Sequence, residues 1–430
     1  MSLGCVAVPL CTMHPIPELL YSLTDSTASA LIYSKPYSKV AEELKSRLPL
    51  LKVYCIEDMI LDSGSTEIAA PIPPTDLRQG CLIIYTSGST GNPKGAIHTI
   101  GSLSSQIESL NQAWNITSKD RILHVLPVHH IHGIVNAMLC ILTAGGSIIF
   151  RESFDSTWVL TQLYENSAIS LFMAVPTIYS KLLKELEKSQ DLDSSNFKHI
   201  RLMISGSAAL PSPIRLSWHE KTGHLLLERY GMTEIGMALS CGLDVKDRID
   251  SSVGHPLPGV LIKLVDVESG LEIDQPDQAG EIYVKSDNLF REYYNRPEQT
   301  MAEFKDGWFK TGDIALRSSS HNNAYFIQGR NSVDIIKSGG YKISALEVEK
   351  EILALEGISE CAVIGIPCPE WGQRVAAIIS SSTEISLDFL RSELKKKVAV
   401  YKVPSLLKQM DTIPRNAMGK VNKKDLAKIF

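Results

Sequence analysis

The sequence predicts an α/β protein with two domains. A large N-terminal domain would combine parallel sheets flanked by helices with a small β-rich subdomain, and a small C-terminal domain would be α+β. Three observations predict this: strand-like runs alternate with helical patterns between Cys81 and Gly231, short strands and turns follow Gly254, and a unit of helices and strands follows Arg330. A chain of 430 residues is long enough for two or more domains.

The first region consists of short apolar runs separated by helical patterns. The initial segment Gly4–Leu10 has the composition of a strand. Further strands are predicted at Cys81–Tyr85, Arg121–Val128, Ser147–Arg151, Ile169–Val175, Ile200–Gly206 and His224–Tyr230, and helices at Pro176–Lys188 and Pro211–Thr222. Strands that alternate with helices favour a largely parallel sheet covered on both faces. The segment Asp62–Asp76 is rich in Pro, Ser and Thr and is predicted to be a surface loop.

In the second half of the chain the predicted elements become short strands separated by turns. Strands at Val260–Val267 and Gly280–Lys285 predict a β-rich subdomain that ends near Phe326. The C-terminal unit is predicted from helices and strands at Ser344–Leu355, Cys361–Ile366, Arg374–Ser380 and Leu387–Val398. It has about a hundred residues, an ordinary size for a small domain. We therefore predict domains at residues 1–329 and 335–430, joined by a hinge at residues 330–334.

The composition disfavours several function classes. With 44% hydrophobic and 21% charged residues the chain has an ordinary globular composition, and its net charge of −5 gives no electrostatic basis for binding nucleic acid or an anionic membrane. The eight cysteines are scattered without a Cys-x-x-Cys pair, so neither a zinc site nor a disulfide framework is indicated. The apolar run Gly133–Phe150 is interrupted by polar residues and glycines, which predicts a core helix, a turn and a strand rather than a membrane span.

The most informative segment is Thr86-Ser-Gly-Ser-Thr-Gly-Asn-Pro-Lys-Gly95, directly after a predicted buried strand. Its glycines let the backbone approach a ligand closely, and its hydroxyls, N–H groups and single ammonium suit a polyphosphate. It is not a Walker A loop, because Lys94 is followed by Gly95. A flexible linker is the alternative, but it would not explain a fixed Pro-Lys-Gly after a buried strand. The predicted phosphate-binding residues are Thr86, Ser87, Gly88, Ser89, Thr90, Gly91 and Lys94.

Further motifs follow in one order: Arg229-Tyr-Gly-Met-Thr-Glu234, Lys310-Thr-Gly-Asp313, Gly329-Arg330, Gly339-Gly-Tyr-Lys342 and Pro414-Arg-Asn-Ala-Met-Gly-Lys420. Together with the phosphate loop they resemble the adenylate-forming enzymes, the superfamily of acyl-CoA synthetases, luciferases and peptide-synthetase adenylation domains. The resemblance runs from about Gly4 to the C-terminus. It implies ATP, Mg²⁺ and CoA: a carboxylate attacks the α-phosphorus of ATP, pyrophosphate leaves, and the acyl group passes to the thiol of CoA.

The resemblance also implies roles for residues of the large domain. Tyr230 would pack on adenine, Thr233 would contact phosphate, and Glu234 would bind Mg²⁺. Asp313 would accept hydrogen bonds from both ribose hydroxyls, and Arg330 would donate to the ribose or the α-phosphate. Small residues that close a predicted strand would leave room for the adenine and the acyl group; they are Ser205, Gly206, Ser207, Ala208 and Ala209.

In the small domain, Lys420 is the candidate catalytic lysine, placed to reach both the attacking carboxylate and the α-phosphate. The alternative is one more solvated lysine near Lys423, Lys424 and Lys428. The resemblance implies that this domain rotates between the two half-reactions and presents a CoA-binding segment, namely Gly339, Gly340, Tyr341 and Lys342. Many relatives place Asp or Lys second after the arginine, whereas Asn331-Ser332-Val333-Asp334 follows Arg330 here, so the hinge residue is not identified.

Two features bear on the acid. Most relatives carry a small residue where Arg229 stands, and a guanidinium grips a carboxylate with two hydrogen bonds, whereas an apolar chain would only desolvate it. This favours a short dicarboxylic acid; the alternative for Arg229 is a surface ion pair with Glu228. The segment Leu126–Gly133 adds His130 where many relatives have an aromatic residue, and its three histidines favour packed or pocket-lining imidazoles over a metal site. The predicted acid pocket is Arg229, His130, Ser205, Gly206 and Met237.

These segments, with Ser332–Lys342 and Trp371–Arg374, resemble the malonyl-CoA synthetases, particularly the mitochondrial animal type. The resemblance implies malonate or methylmalonate as the acid and the mitochondrial matrix as the location, with the cytoplasm as the alternative. Another short- or medium-chain acid, and an inactive chain, remain open. Because Gly4–Leu10 corresponds to a segment well inside the superfamily's large domain, we expect the chain to be N-terminally truncated.

Overall fold

The computed structural model describes residues 4–62, 76–86, 93–151, 153–188, 193–415 and 421–430. Within these ranges the α-helices are α1 Ile16–Asp25, α2 Ser38–Arg47, α3 Ile56–Asp62, α4 Ile100–Ala113, α5 Cys140–Thr143, α6 Ser156–Glu165, α7 Pro176–Lys188, α8 Ser212–Thr222, α9 Pro297–Glu303, α10 Ala345–Leu353, α11 Leu387–Leu394 and α12 Lys423–Leu426. A π-helix covers His132–Leu139.

The strands of the same ranges are β1 Ala30–Tyr33, β2 Lys52–Cys55, β3 Gly80–Thr86, β4 Lys94–Thr99, β5 Arg121–His124, β6 Ser147–Phe150, β7 Leu171–Ala174, β8 Leu202–Ser205, β9 Leu227–Met232, β10 Gly236–Ser240, β11 His255–Pro256, β12 Val260–Val265, β13 Ala279–Ser286, β14 Glu292–Tyr293, β15 Phe304–Lys305, β16 Trp308–Ser318, β17 Ala324–Arg330, β18 Ile335–Ser338, β19 Tyr341–Ser344, β20 Ile358–Cys368, β21 Gly372–Ser381 and β22 Leu406–Gln409.

A seven-stranded sheet with the order β11-β10-β9-β8-β7-β5-β6 forms the centre of the large domain. Its pairs from β6 through to β9 are parallel, and β10 and β11 are added antiparallel at one edge. Successive residues of β7 face opposite sides: Leu171 and Met173 join a core with Trp114, while Phe172 joins another with Trp218. Both faces of the sheet are therefore buried, and the predicted α/β fold class is confirmed.

A smaller sheet, β14-β4-β3, carries the two strands that flank the predicted phosphate loop. The predicted strand at Gly4–Leu10 is wrong, because within the described residues this segment makes a single isolated parallel bridge, between Ala7 and Leu82. Pro9 follows that bridge closely, and a proline has no N–H with which to continue a ladder. The predicted surface loop Asp62–Asp76 lies almost wholly outside the described residues.

The structure also contains a β-rich subdomain and a C-terminal unit of α-helices and β-strands, the two types of unit that the sequence predicts. The first is the sheet β12-β13-β16-β15 with β17 on β16, and the second is β19-β18-β21-β20 with β22 on β21. Helices α10 and α11 cover the second sheet through Ile352 and Leu390. The predicted hinge, residues 330–334, comprises the last residue of β17 and the segment between β17 and β18. Its bounds stay a prediction. No helix among the described residues is long and apolar enough to cross a membrane.

Candidate active site

The hairpin between β9 and β10 forms the centre of the candidate site. Three residues connect the strands, and Gly236 closes the turn with a φ of 64°, a left-handed conformation that suits glycine. A Cβ at Gly236 would also lie 2.5 Å from the amide of Gln106. The ring of buried His98 donates from Nε2 to the carbonyl of Thr233 at 2.8 Å. Burial lowers the pKa of His98 to about 4, so the neutral imidazole holds this turn at physiological pH.

Tyr293 links two predicted functional residues on either side of it. Its hydroxyl donates to Oε1 of buried Glu234 at 2.8 Å, and the ammonium of Lys94 lies 4.2 Å from the centre of its ring. The register between β14 and β4 places Tyr293 opposite Ala96, two residues after Lys94. A cation over an aromatic face is stabilised by the ring quadrupole. Sequence reasoning missed Tyr293, although it connects the predicted phosphate and Mg²⁺ ligands.

The chemistry of Glu234 fits the Mg²⁺ that the resemblance implies. Its carboxylate is a hard oxygen donor, and burial raises its pKa although Tyr293 and Lys94 oppose that rise. The described residues contain no group of three or more His, Cys, Asp or Glu that could hold a metal. In nucleotide enzymes Mg²⁺ is commonly held by one or two carboxylates together with substrate phosphates and water, which is the role that Glu234 would fill.

The predicted nucleotide residues Tyr230, Asp313 and Arg330 form one hydrogen-bonded group. The hydroxyl of Tyr230 donates to Oδ2 of Asp313 at 2.6 Å, and Nε of Arg330 donates to Oδ1 at 2.9 Å. Asp313 and Arg330 are direct neighbours across β16 and β17. Burial lowers the pKa of Arg330 but Asp313 raises it by more, whereas burial and Asp313 both raise the pKa of Tyr230. The guanidinium therefore stays charged and the phenol stays protonated.

Arg229 lies on β9 beside Gly206, which follows β8. Arg229 is only 4% exposed, and its Nε and Nη2 atoms have no hydrogen-bond partner among the described residues. A Cβ at Gly206 would be 2.5 Å from the guanidinium carbon, so only glycine leaves room for the group. The buried hydroxyl of Ser205 also lacks a partner within the same part of the chain. Burial lowers the pKa of Arg229 to about 9, which still leaves it charged at neutral pH.

The alternative of a surface ion pair between Arg229 and Glu228 is wrong. Both residues are buried, and neighbours along a strand point to opposite faces of the sheet. On the other face, Oε1 of Glu228 lies 3.9 Å from Nε of Arg215. Burial raises the pKa of Glu228 to about 8, although Arg215 opposes the rise. Arg229 is therefore separated from the nearest acidic side chain along its own strand.

The ends of β8 and β9 are contacted by a histidine and a methionine. Buried His132 lies with Nδ1 3.1 Å from the hydroxyl of Ser207, which has a φ of 69°. Met237 packs against Gly231, where a Cβ would lie 2.4 Å from its Cε atom. The ring of His130 contacts that of His129 at 4.1 Å. Sequence reasoning selected His130 and missed His132, although both belong to the same histidine-rich segment. Ala208 and Ala209 lie exposed after β8.

The predicted CoA segment lies on the C-terminal domain. Gly339 and Gly340 have φ values of 56° and 85°, and a Cβ at Gly339 would lie 2.8 Å from the ring of Trp371. Half-exposed Tyr341 stacks on Tyr401 with the ring centres 4.0 Å apart. The ammonium of Lys342 pairs with Glu268 of the β-rich subdomain at 2.8 Å. This segment therefore touches both domains.

Two predicted groups fall wholly or partly outside the described residues. Thr86 and Lys94 are paired at the ends of β3 and β4, whereas the loop residues and the candidate catalytic lysine are outside; these are Ser87, Gly88, Ser89, Thr90, Gly91 and Lys420. The grouping of Lys423 with solvated lysines is wrong. Its ammonium is buried and lies 2.6 Å from both Asp334 and Glu349. These two carboxylates compensate the cost of removing the ammonium from water.

The comparison with known families decides the classification. A family described as "AMP-binding enzyme" matches residues 1–294, and "AMP-binding enzyme C-terminal domain" matches residues 347–420. The chain belongs to the AMP-binding enzyme family. As predicted, it is an adenylate-forming enzyme of the ATP-dependent acyl-CoA synthetase class, which uses Mg²⁺ and CoA.

Several relatives of this AMP-binding enzyme match almost all of it. A CoA ligase of Gibberella moniliformis is 44% identical over 100% of this chain and 82% of its own. The mitochondrial malonate–CoA ligase of Homo sapiens is 42% identical over 99% of this chain and 79% of its own. The crystal structure of ATP-bound MatB from Rhodopseudomonas palustris superposes with a TM-score of 0.89 at 33% identity, over 99% of this chain and 83% of that one.

Proposed function

We propose that this AMP-binding enzyme is a malonate–CoA ligase, which converts malonate, ATP and CoA into malonyl-CoA, AMP and pyrophosphate through malonyl-adenylate. The observation that carries the proposal is the buried guanidinium of Arg229, with two nitrogen atoms that have no partner among the described residues. Relatives named malonate–CoA ligase from Homo sapiens and Arabidopsis thaliana, 42% and 39% identical, support it.

A buried charge without a counter-ion is unfavourable, so a ligand that supplies one is favoured. Malonate carries two carboxylates: one reacts with ATP, and the other would accept hydrogen bonds from Nε and Nη2 of Arg229. The hydroxyl of Ser205 and the ring of His132 would line the same pocket. An apolar acyl chain would leave the guanidinium unpaired and desolvated. Methylmalonate presents the same pair of carboxylates and is the second substrate that we propose.

Adenylation would use the residues around the β9–β10 hairpin. Tyr230 would pack on adenine, while Asp313 and Arg330 would bind the ribose. Lys94 and the phosphate loop would bind the β- and γ-phosphates, and Glu234 would hold Mg²⁺, which supplies charge neutralisation when it is bound. Lys420 would align the reacting carboxylate with the α-phosphate. The geometry that supports these roles is the contact of Tyr230 with Asp313 and of Tyr293 with both Lys94 and Glu234.

The second half-reaction would use the C-terminal domain. The thiol of CoA attacks the acyl carbonyl of malonyl-adenylate, and AMP leaves. We propose that a rotation at residues 330–334 brings Gly339, Gly340, Tyr341 and Lys342 to the acyl-adenylate. The contact between Lys342 and Glu268 would have to break in that rotation. Because the human and mouse relatives are named as mitochondrial enzymes, we also propose the mitochondrial matrix as the location.

The proposal is tested by pyrophosphate release with a panel of acids: malonate, methylmalonate, succinate, acetate and butyrate. We expect the highest kcat/KM with malonate, weaker activity with methylmalonate, and the lowest values with the two monocarboxylates. Formation of malonyl-CoA should be followed directly by mass spectrometry. A higher kcat/KM for butyrate than for malonate would contradict the malonate assignment and leave the acyl-CoA synthetase class intact.

A further inference from the structure

Helix α1 makes specific contacts with the chain on both sides of the phosphate loop, in strand β3 and directly before strand β4. Tyr21 and Asp25, four residues apart, lie on one face of this helix. The hydroxyl of Tyr21 donates to the carbonyl of Pro93 at 2.9 Å, and the hydroxyl of Tyr85 donates to Oδ2 of Asp25 at 2.9 Å. The rings of Tyr21 and Tyr85 meet edge to face with their centres 6.2 Å apart. One helix face thus contacts the chain on either side of the loop.

These contacts adjoin the residues with predicted phosphate roles. Tyr85 directly precedes Thr86, and Pro93 directly precedes Lys94. Across the two strands Thr86 pairs with Lys94, and Tyr85 pairs with Gly95. A Cβ at Gly95 would lie 3.2 Å from the ring of Tyr85, so the ring packs closely over that backbone. A shift of Tyr85 or Pro93 would therefore move Thr86 or Lys94 with it.

The other oxygen of Asp25 extends the network toward the metal ligand. Oδ1 of Asp25 accepts a 2.6 Å hydrogen bond from Nη2 of Arg296, which lies three residues after Tyr293. Tyr293 contacts both Lys94 and Glu234. The side chain of Asp25 is 10% exposed, and a charge-assisted hydrogen bond in such surroundings is stronger than one between neutral groups. Asp25 thus bonds to the residue before the loop and to the segment that contacts Lys94.

We infer that Tyr21 and Asp25 are positioning residues for ATP binding, which fix the two ends of the phosphate loop and hence the location of the Lys94 ammonium. The inference rests on the proposed function, in which Lys94 binds phosphate. Neither residue touches a reacting group in this arrangement. Their effect would be on the binding of ATP and on KM for ATP, because the catalytic groups at the α-phosphate belong to other segments.

The test compares Tyr21→Phe and Tyr85→Phe, each of which removes one hydroxyl and keeps the ring. Tyr164→Phe is the matched control, because its hydroxyl accepts a backbone hydrogen bond from Asp193 in the helical layer beside the central sheet. Equilibrium ATP binding, KM and kcat of pyrophosphate release, and the unfolding temperature are measured for all three. We expect the first two variants to raise the ATP Kd and KM about two- to tenfold, the effect of one lost hydrogen bond, with little change in kcat. The control should bind ATP like the unaltered chain.

Asp25→Asn adds a second arm, because it removes the charge that binds Arg296 and keeps an oxygen for Tyr85. It should weaken ATP binding without changing KM for malonate. The inference would be overturned if Tyr21→Phe and Tyr85→Phe bound ATP with the same dissociation constant as the unaltered chain. A lowered unfolding temperature together with unchanged ATP binding would also overturn it. A failure of the proposed function would give a different result: the unaltered chain would bind ATP but would not release pyrophosphate in response to malonate. In that case the ATP affinities of the variants would still decide the role of helix α1. An unaltered chain that binds no ATP would overturn both.

Discussion

The phenol of Tyr230 donates a 2.6 Å hydrogen bond to Asp313, 83 residues further along the chain. The bond connects β9 of the central sheet with β16 of the β-rich subdomain. Arg330 occupies the other carboxylate oxygen from the neighbouring strand β17. Three residues from three separate motifs are therefore assembled by contacts within the protein, and the proposed ribose site is pre-organised before ATP binds.

The first prediction concerns this bond. Tyr230→Phe keeps the ring that we propose to pack on adenine and removes the hydroxyl that fixes Asp313. A hydrogen bond to a charged group contributes about 1.5–3 kcal/mol, so KM for ATP should rise about ten- to a hundredfold. Steady-state kinetics with ATP, malonate and CoA varied in turn measure this effect, with Tyr164→Phe as the control. An equal change in KM for all three substrates would show that the bond supports the fold rather than the nucleotide site.

The second prediction concerns Tyr293 and Mg²⁺. Tyr293→Phe removes the hydrogen bond to Glu234 and keeps the ring beneath Lys94, whereas Tyr293→Leu removes both contacts. The free carboxylate should lose its fixed orientation, so the Mg²⁺ concentration for half-maximal ATP binding should rise about tenfold or more in Tyr293→Phe. Tyr293→Leu should weaken ATP binding further, because Lys94 loses its cation–π contact. Titrating Mg²⁺ at fixed ATP and following binding measures both effects, and identical Mg²⁺ dependence in all three proteins would contradict this prediction.

Much of the fold could be predicted because its signals are local. The alternation of strands and helices between β5 and β9, and helix α7 at its predicted bounds, follow from hydrophobic period and turn residues. The strand prediction for Gly4–Leu10 is wrong because it rests on apolar composition alone. A strand forms only where its backbone N–H groups find carbonyl partners on a neighbouring strand, and composition does not show this. Strand β5 ends at His124, four residues before the predicted end, since Pro127 cannot continue a ladder.

The candidate site shows the complementary limit. Tyr230 and Glu234 stand in one recognisable segment, so a motif suffices to select them. The contacts of His98 and Tyr293 could not be predicted because their partners, Thr233 and Glu234, lie 135 and 59 residues away. Lys423 was grouped with solvated lysines because local sequence does not show that Asp334 and Glu349 surround it. Contacts between distant segments carry no local period or spacing from which they could be predicted.

The third prediction separates the half-reactions. Lys420→Ala should abolish adenylate formation and spare the thiolation of pre-made malonyl-adenylate, because only the first step needs an ammonium between the carboxylate and the α-phosphate. Lys428→Ala is the matched control, since this lysine is exposed and pairs only with nearby Asp425 among the described residues. Pyrophosphate release and CoA thioester formation are measured separately. Equal loss in both assays would show a structural role for Lys420.

The fourth prediction concerns the CoA segment. Gly340 has a φ of 85°, and beyond its chain neighbours no atom of the described residues lies within 4 Å of the Cβ that a side chain would add. The backbone conformation, rather than crowding, therefore opposes a substitution in this arrangement. Gly340→Leu should block thiolation while a single turnover of pyrophosphate release persists, because the bulky group would obstruct CoA after rotation. Gly340→Ala, with the same backbone strain and less bulk, should lose less thiolation. Equal loss of adenylation in Gly340→Leu would contradict the proposed rotation.

The fifth prediction concerns Arg229, on which the choice of acid depends. A hydrogen bond to a charged group contributes about 1.5–3 kcal/mol, and about 1.4 kcal/mol corresponds to tenfold. Arg229→Ala should therefore lower kcat/KM for malonate by about ten- to a hundredfold, with a larger loss where the distal carboxylate stays buried and unpaired. Acetate and butyrate lack that carboxylate and should change little or improve. Kinetics with each acid at saturating ATP and CoA measure the ratio.

Two controls sharpen this test of Arg229. Arg229→Lys should restore only part of the malonate activity, because an ammonium cannot reproduce the planar two-point grip of a guanidinium. Burial lowers the pKa of Arg229 to about 9, and the guanidinium is charged at neutral pH. In the unaltered enzyme the ratio of kcat/KM for malonate to that for butyrate should therefore be high and constant from about neutral pH to about pH 8. Arg229→Ala should show a low ratio over the same range. If malonate and butyrate decline by the same factor in Arg229→Ala, the guanidinium supports the fold, and the preference for a dicarboxylic acid must come from another part of the pocket.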